Sequence, residues 1–148
     1  MKRGKQTKFN ERSPDSYKRQ LKGIELRSGR RDPFIVFSLR NYDRNQGQTI
    51  KEWEDQELLS LALAKLQEVC NLTRVEATRQ QIIKEYRKGD FPPESDFYHP
   101  KHIPADIAWC SMHIQGKECV IGYFEDNIFH VVFLDKEHRF WITEKKHT

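Results

Sequence analysis

The feature that most constrains this chain is its last third, where apolar runs are cut at short intervals by turn residues. From Asp106 it reads IAWCSMHI, QGK, CVIGYF, EDN, IFHVVFL, DKEH and RFWIT. Short runs rich in β-branched and aromatic residues, separated by Gly, Asn and Asp, predict an antiparallel meander of four strands. Gly116 and Asn127 are the turn residues expected to tolerate positive φ. Such a sheet needs cover for at least one face.

The cover is expected from residues 49–88. Thr49 with Glu52 and Thr73 with Glu76 are two T-x-x-E capping boxes, in which each side chain satisfies a backbone amide left free at a helix start. Apolar periodicity runs from Ile50 to Cys70 and again from Val75 to Tyr86. This predicts two helices joined at Asn71-Leu72, the second closed by Arg87, Lys88 and Gly89. Ahead of them, Asp32-Pro33 leads into a strand over 34–41, where Ile35, Phe37 and Leu39 alternate with Val36, Ser38 and Arg40. The expected class is α+β, in the order β-α-α-β-β-β-β, an antiparallel sheet with a helical hairpin packed on one face. Residues 89–105 carry four prolines and are expected to form a Pro-rich loop strapped over the domain.

Charge divides the chain in two. Residues 1–31 hold eleven cations (Lys2, Arg3, Lys5, Lys8, Arg12, Lys18, Arg19, Lys22, Arg27, Arg30 and Arg31) against three acids, a balance of +8. The remaining 15 basic and 19 acidic residues balance to −4. The expected organisation is a basic, largely disordered arm over 1–31 and a single α+β domain over 32–148. Residues 17–27 are open to either a short helix or a docking strand. A flexible cationic segment suits RNA or another nucleic acid, bound through phosphate contacts and counterion release. A solubilising tail or a segment ordered on an acidic partner protein is the alternative.

Three cysteines (Cys70, Cys110 and Cys119) show no paired spacing and are expected to be reduced thiols of a cytoplasmic protein. The basic start enters no apolar stretch, and no window nears the ~20 apolar residues of a membrane helix, so neither a signal peptide nor a membrane partner is expected.

The histidines bear on chemistry. With Asp135 facing His138 across a tight turn, His130 stands four residues farther from that turn than Leu134, roughly 13 Å along the strand. Two ligands of one ion must each come to about 2 Å from it, so His130 and His138 do not form a chelating pair in this register. The EDN turn would set Phe124 against Ile128 and His130 opposite Gly122, which leaves room beside the imidazole for packing, the favoured reading, or for a ligand. His138, beside Asp135 and Arg139, either forms a turn-stabilising pair with Asp135 or serves as an acid–base group or phosphate contact. His99 and His102 lack companion ligands at zinc spacing, and no P-loop, G-x-S-x-G, H-E-x-x-H or paired Cys motif occurs. No metal or cofactor is expected. Trp53, Trp109 and Trp141 read as core fillers in preference to base-stacking platforms.

The element order, together with the run GKECVIGYFEDNIFHVVFLDKEHRF at 116–140, resembles the RelE/ParE-like toxins of bacterial toxin–antitoxin modules. It also resembles small uncharacterised bacterial proteins that end in a similar hairpin. The toxin resemblance implies a metal-independent endoribonuclease that cleaves mRNA, with His138, Arg139 and Tyr123 as the catalytic positions and an antitoxin as partner. The acidic body, the arm and the long loop depart from that pattern. They support a second reading, a non-catalytic interaction module whose arm docks into a larger nucleoprotein or protein complex, with a larger effector protein as partner.

Overall fold

A computed structural model describes residues 32–142. The basic arm, with each of its eleven cations, and Thr143 of the last expected strand lie outside the described residues.

The described part is an α+β fold of three helices and five strands. In chain order these are β1 (Val36–Ser38), α1 (Ile50–Asp55), α2 (Leu59–Val69), α3 (Arg74–Arg79), β2 (Ile83–Glu85), β3 (Trp109–His113), β4 (Cys119–Glu125) and β5 (Ile128–Asp135). The sheet order is β1-β5-β4-β3-β2. Four strands are antiparallel, but β1 pairs parallel with β5, Phe37 against Phe129. The sheet is therefore mixed and not purely antiparallel as expected. Beyond β1 the chain continues along β5, where Asp43 N–H donates to Val132 O at 2.9 Å and Gln48 N–H to Leu134 O at 3.0 Å.

Both capping boxes form, each with reciprocal Thr and Glu contacts. The helix ends depart from the expectation. Leu58 N–H reaches Trp53 O and Glu57 N–H reaches Glu54 O, with Glu57 at φ 61. Ile82 N–H reaches Ala77 O and Gln81 N–H reaches Thr78 O, with Gln81 at φ 62. These are Schellman closures with a left-handed residue just past the helix, a place glycine usually takes. The first closure splits the expected helix over 49–71 into α1 and α2. The second stops α3 after six residues and releases β2, which pairs with β3 where a helix to residue 88 was expected. In each closure the next residue, Leu58 or Ile82, packs in or against the core that holds Trp53 and Ala77, the apolar contact that accompanies this motif.

The sheet buries both faces. On one, Trp53, Leu58, Ala62, Val69 and Ala77 from the helices meet Cys110, Met112, Val120, Phe129, Val131 and Leu134. On the other, Trp109, Ile121, Val132 and Phe133 are covered by Phe91, Phe97 and Ile103 of the Pro-rich segment and by Phe140. That segment is the expected strap. Its aromatic rings meet the sheet directly, Phe97 to Phe133 at 4.7 Å and Phe91 to Trp109 edge-on at 5.8 Å.

Two turns differ in detail. Asp126, not Asn127, takes the positive φ of the EDN turn (57°), and Asn127 instead donates its side-chain amide to Phe34 O at 2.8 Å. Gly116 is not among the positive-φ glycines. The register of β4 on β5 sets Glu125 against Ile128 and Tyr123 against His130, with a bulge at Ile121/Gly122. His130 thus faces Tyr123 and not Gly122. The expected strand RFWIT is absent from the described residues, because β5 ends at Asp135 and the chain folds inward. Asp135, 1% exposed, accepts from Arg139 N at 2.9 Å and Phe140 N at 2.8 Å, and Phe140 enters the core.

Candidate functional site

A cleft of about 610 Å³ opens where β2, the end of β3 and the segment after β5 meet. Strand alternation places its walls. Lys84 pairs with Ser111 across β2 and β3, so both project from the face opposite the helices. His113 follows two residues along β3 on that same face. Tyr86, just past β2, has its hydroxyl 3.3 Å from Ser111 Oγ, and burial raises the pKa of that phenol. Trp141 lies against Tyr86 in parallel, ring centroids 4.0 Å apart with planes 3° from parallel. Lys84 Nζ stands 5.0 Å from the Tyr86 ring centre, a cation–π approach.

At one end of the cleft stand His113 and His138, with ring centroids 5.3 Å apart. Cys119 is the cross-strand partner of His113, so the two side chains leave the same face as direct neighbours. Cys119 Sγ is 3.8 Å from His113 Nδ1. Candidate ligand atoms of His113, Cys119 and His138 all lie within 4.8 Å of one another. His138 comes to this corner on a left-handed backbone (φ 61) inside the turn that Asp135 holds. Burial, then the nearby Asp135 carboxylate, push the Cys119 thiol up to about 12. It stays protonated at neutral pH, and a free nucleophilic thiolate is not what this corner offers.

The structure does not bring the three expected catalytic residues together. His138 faces the cleft. Arg139, its neighbour in sequence, turns to a different groove, where its Nε sits 2.6 Å from Asp96 Oδ2 and its guanidinium pKa is raised by that pair. Tyr123 lies four residues along β4 from Cys119, roughly 13 Å away. It belongs to a separate corner. Asn41 Nδ2 donates to Tyr123 Oη at 2.8 Å, the Tyr123 and His130 rings stack at 4.9 Å, and His130 Nε2 is 2.9 Å from Glu125 Oε1. Burial raises the Tyr123 pKa, against the lowering effect of the Asn41 hydrogen bond. His99 and His102 each meet a backbone carbonyl, of Ile103 at 3.0 Å and Asn41 at 2.9 Å. They fasten the strap.

Register arithmetic separates His130 from His138 and does not show that His138 lies beside His113. The usable signal was the β3–β4 hairpin itself, since a turn after His113 must set Cys119 beside it. Trp141 packs against the core under the strap and also stands half-buried on the cleft wall. No protein-family profile, curated protein or solved structure matches this chain.

Proposed function

We propose that this chain is a nucleic-acid-associated protein that binds single-stranded RNA, using the cleft beside Tyr86 and Trp141 together with its basic N-terminal arm. One observation carries the reading: Trp141, stacked on Tyr86 beside Lys84, lines a cleft of about 610 Å³ and leaves its outer ring face for a base. Every base has a π-face, so stacking on such a platform is tolerant of sequence, and a neighbouring cation contributes through the phosphate. The eleven cations of residues 1–31 supply the long-range attraction that the acidic remainder does not.

The reading is a binding function. Toxin-type cleavage would need His138, Arg139 and Tyr123 around one phosphate, and these three side chains serve three separate neighbourhoods.

Fluorescence anisotropy with a labelled single-stranded RNA oligonucleotide tests the proposal. Trp141→Ala should weaken binding by about 10-fold, within the range of one lost base stack. Lys84→Gln should flatten the salt dependence by roughly one phosphate contact, a slope change of about 0.7. A variant with Lys18, Arg19 and Lys22 changed to Gln should lose affinity and slope together. If that arm variant loses binding while Trp141→Ala and Lys84→Gln leave it unchanged, the cleft has no part and the chain docks by its arm alone.

A further inference from the structure

We infer that His113, Cys119 and His138 form a binding site for a divalent transition-metal ion of the zinc kind, at the end of the cleft. The inference stands whether or not the cleft takes RNA.

The donor set comes first. One sulfur and two imidazoles suit zinc and its neighbours in the transition series, and do not suit magnesium or calcium, which prefer oxygen. Geometry agrees. Ligands at about 2.0–2.3 Å from one ion lie closer together than the 4.8 Å within which these three groups already fall. The remaining closure is within side-chain rotation, because His113 is exposed at a strand end and His138 is half-buried. His113 Nδ1 lies 2.6 Å from Gly116 O. Ligation through Nδ1 would exchange that carbonyl for the ion, whereas ligation through Nε2 would keep it, the arrangement by which backbone groups orient metal-bound histidines.

The backbone also holds the third residue in place. A histidine at φ 61 is an uncommon conformation for a side-chain-bearing residue. Here the turn is over-determined by Asp135, which accepts from both following amides and sends Phe140 into the core. Three protein ligands with one side on a cleft leave a coordination position for water or a ligand, as in open zinc sites. On binding, the Cys119 thiol passes its proton to solvent and the sulfur becomes the thiolate ligand.

The test uses the full-length chain and cobalt(II), whose tetrahedral thiolate complexes absorb in the visible and near ultraviolet. One equivalent should bind with a thiolate-to-metal charge-transfer band, and zinc should displace it. Cys119→Ser should lose that band, and His113→Ala should weaken binding by at least about 10-fold, the lower end of the cost of disturbing even an outer-shell partner. Cys70→Ser, altering an exposed thiol, should leave the spectrum unchanged. Zinc should raise the melting temperature of the native chain and not that of His113→Ala, whose exposed side chain is dispensable for folding. No charge-transfer band, a band that survives Cys119→Ser, or equal loss in Cys70→Ser would overturn the site.

Discussion

The turn at residues 135–140 can be tested through Asp135 alone. Its carboxylate is 1% exposed and accepts two backbone hydrogen bonds, from Arg139 N at 2.9 Å and Phe140 N at 2.8 Å. Hydrogen bonds to a charged group contribute about 1.5–3 kcal/mol each, and removing the acceptor leaves amides without partners. Asp135→Ala should therefore cost roughly 3–5 kcal/mol, since both bonds go at once and Phe140 loses the turn that seats it. For a domain of this size 1 kcal/mol corresponds to about 4 °C, so the melting temperature should fall by roughly 12–20 °C. Asp135→Asn keeps one acceptor oxygen but points an amide donor at the second N–H, and should fall between the two. Thermal unfolding followed by circular dichroism measures all three proteins. A fall of less than about 4 °C in Asp135→Ala would refute the claim that this carboxylate holds the turn.

Other consequences can be checked as simply. Burial, followed by Glu85 for Cys110 and Asp135 for Cys119, raises both thiols from 9.0 to about 12, while Cys70 is exposed. Native protein treated with iodoacetamide at pH 8 should add one label by mass spectrometry, at Cys70, and three when unfolded. Because these folded pKa values lie above the unfolded ones, the two thiols contribute their stability fully below pH 9 and lose it as pH rises toward 12. Urea midpoints should decline over that alkaline window, and a midpoint that rises there would contradict the burial argument. At the β4 bulge, a Cβ on Gly122 would collide with the carbonyl of His130 and come within 2.7 Å of the Phe129 ring. Gly122→Ala should therefore cost about 3 kcal/mol or more in urea unfolding, the upper range for overpacked sites.

What was legible in the sequence followed local chemistry. Thr49 with Glu52 and Thr73 with Glu76 announced two helix starts because a capping box is complete within four residues. The helix ends were hidden because Glu57 and Gln81 occupy the left-handed positions where a sequence reading looks for glycine. Missing the second end turned β2 into helix, and with it went one wall of the cleft. The parallel pairing of β1 with β5 is a contact between residues some ninety positions apart, and no periodicity records it. The final turn misled differently. DKEH between two apolar runs looks like a hairpin, but Asp135 spends both carboxylate oxygens on the amides ahead of it. That contact diverts RFWI from strand to core and cleft wall. Register arithmetic could separate His130 from His138, yet the company His138 keeps depends on this diversion.

The cleft and the metal site meet in a last prediction, argued from charge. Among the side chains lining the cleft, Lys84 is the formal cation, and Glu85, also on its wall, is paired with Arg74 at 2.9 Å. With Glu85 offset by Arg74, Lys84 leaves the wall a single cation, a modest surface for a phosphate. A divalent ion held by one thiolate and two neutral imidazoles adds a net charge of about +1 at the end shared by His113 and His138. One extra phosphate neutralised on single-stranded RNA should steepen the salt dependence of binding by about 0.7. Measured by anisotropy, RNA affinity of the native chain should rise on adding one equivalent of zinc and the salt slope should steepen. Cys119→Ser should abolish that response while keeping the zinc-free affinity. Lys84→Gln should lower affinity with and without zinc and keep the increment. A zinc effect of equal size in Cys119→Ser would place the ion elsewhere, and zinc binding without any change in RNA affinity would separate the metal site from the nucleic-acid surface.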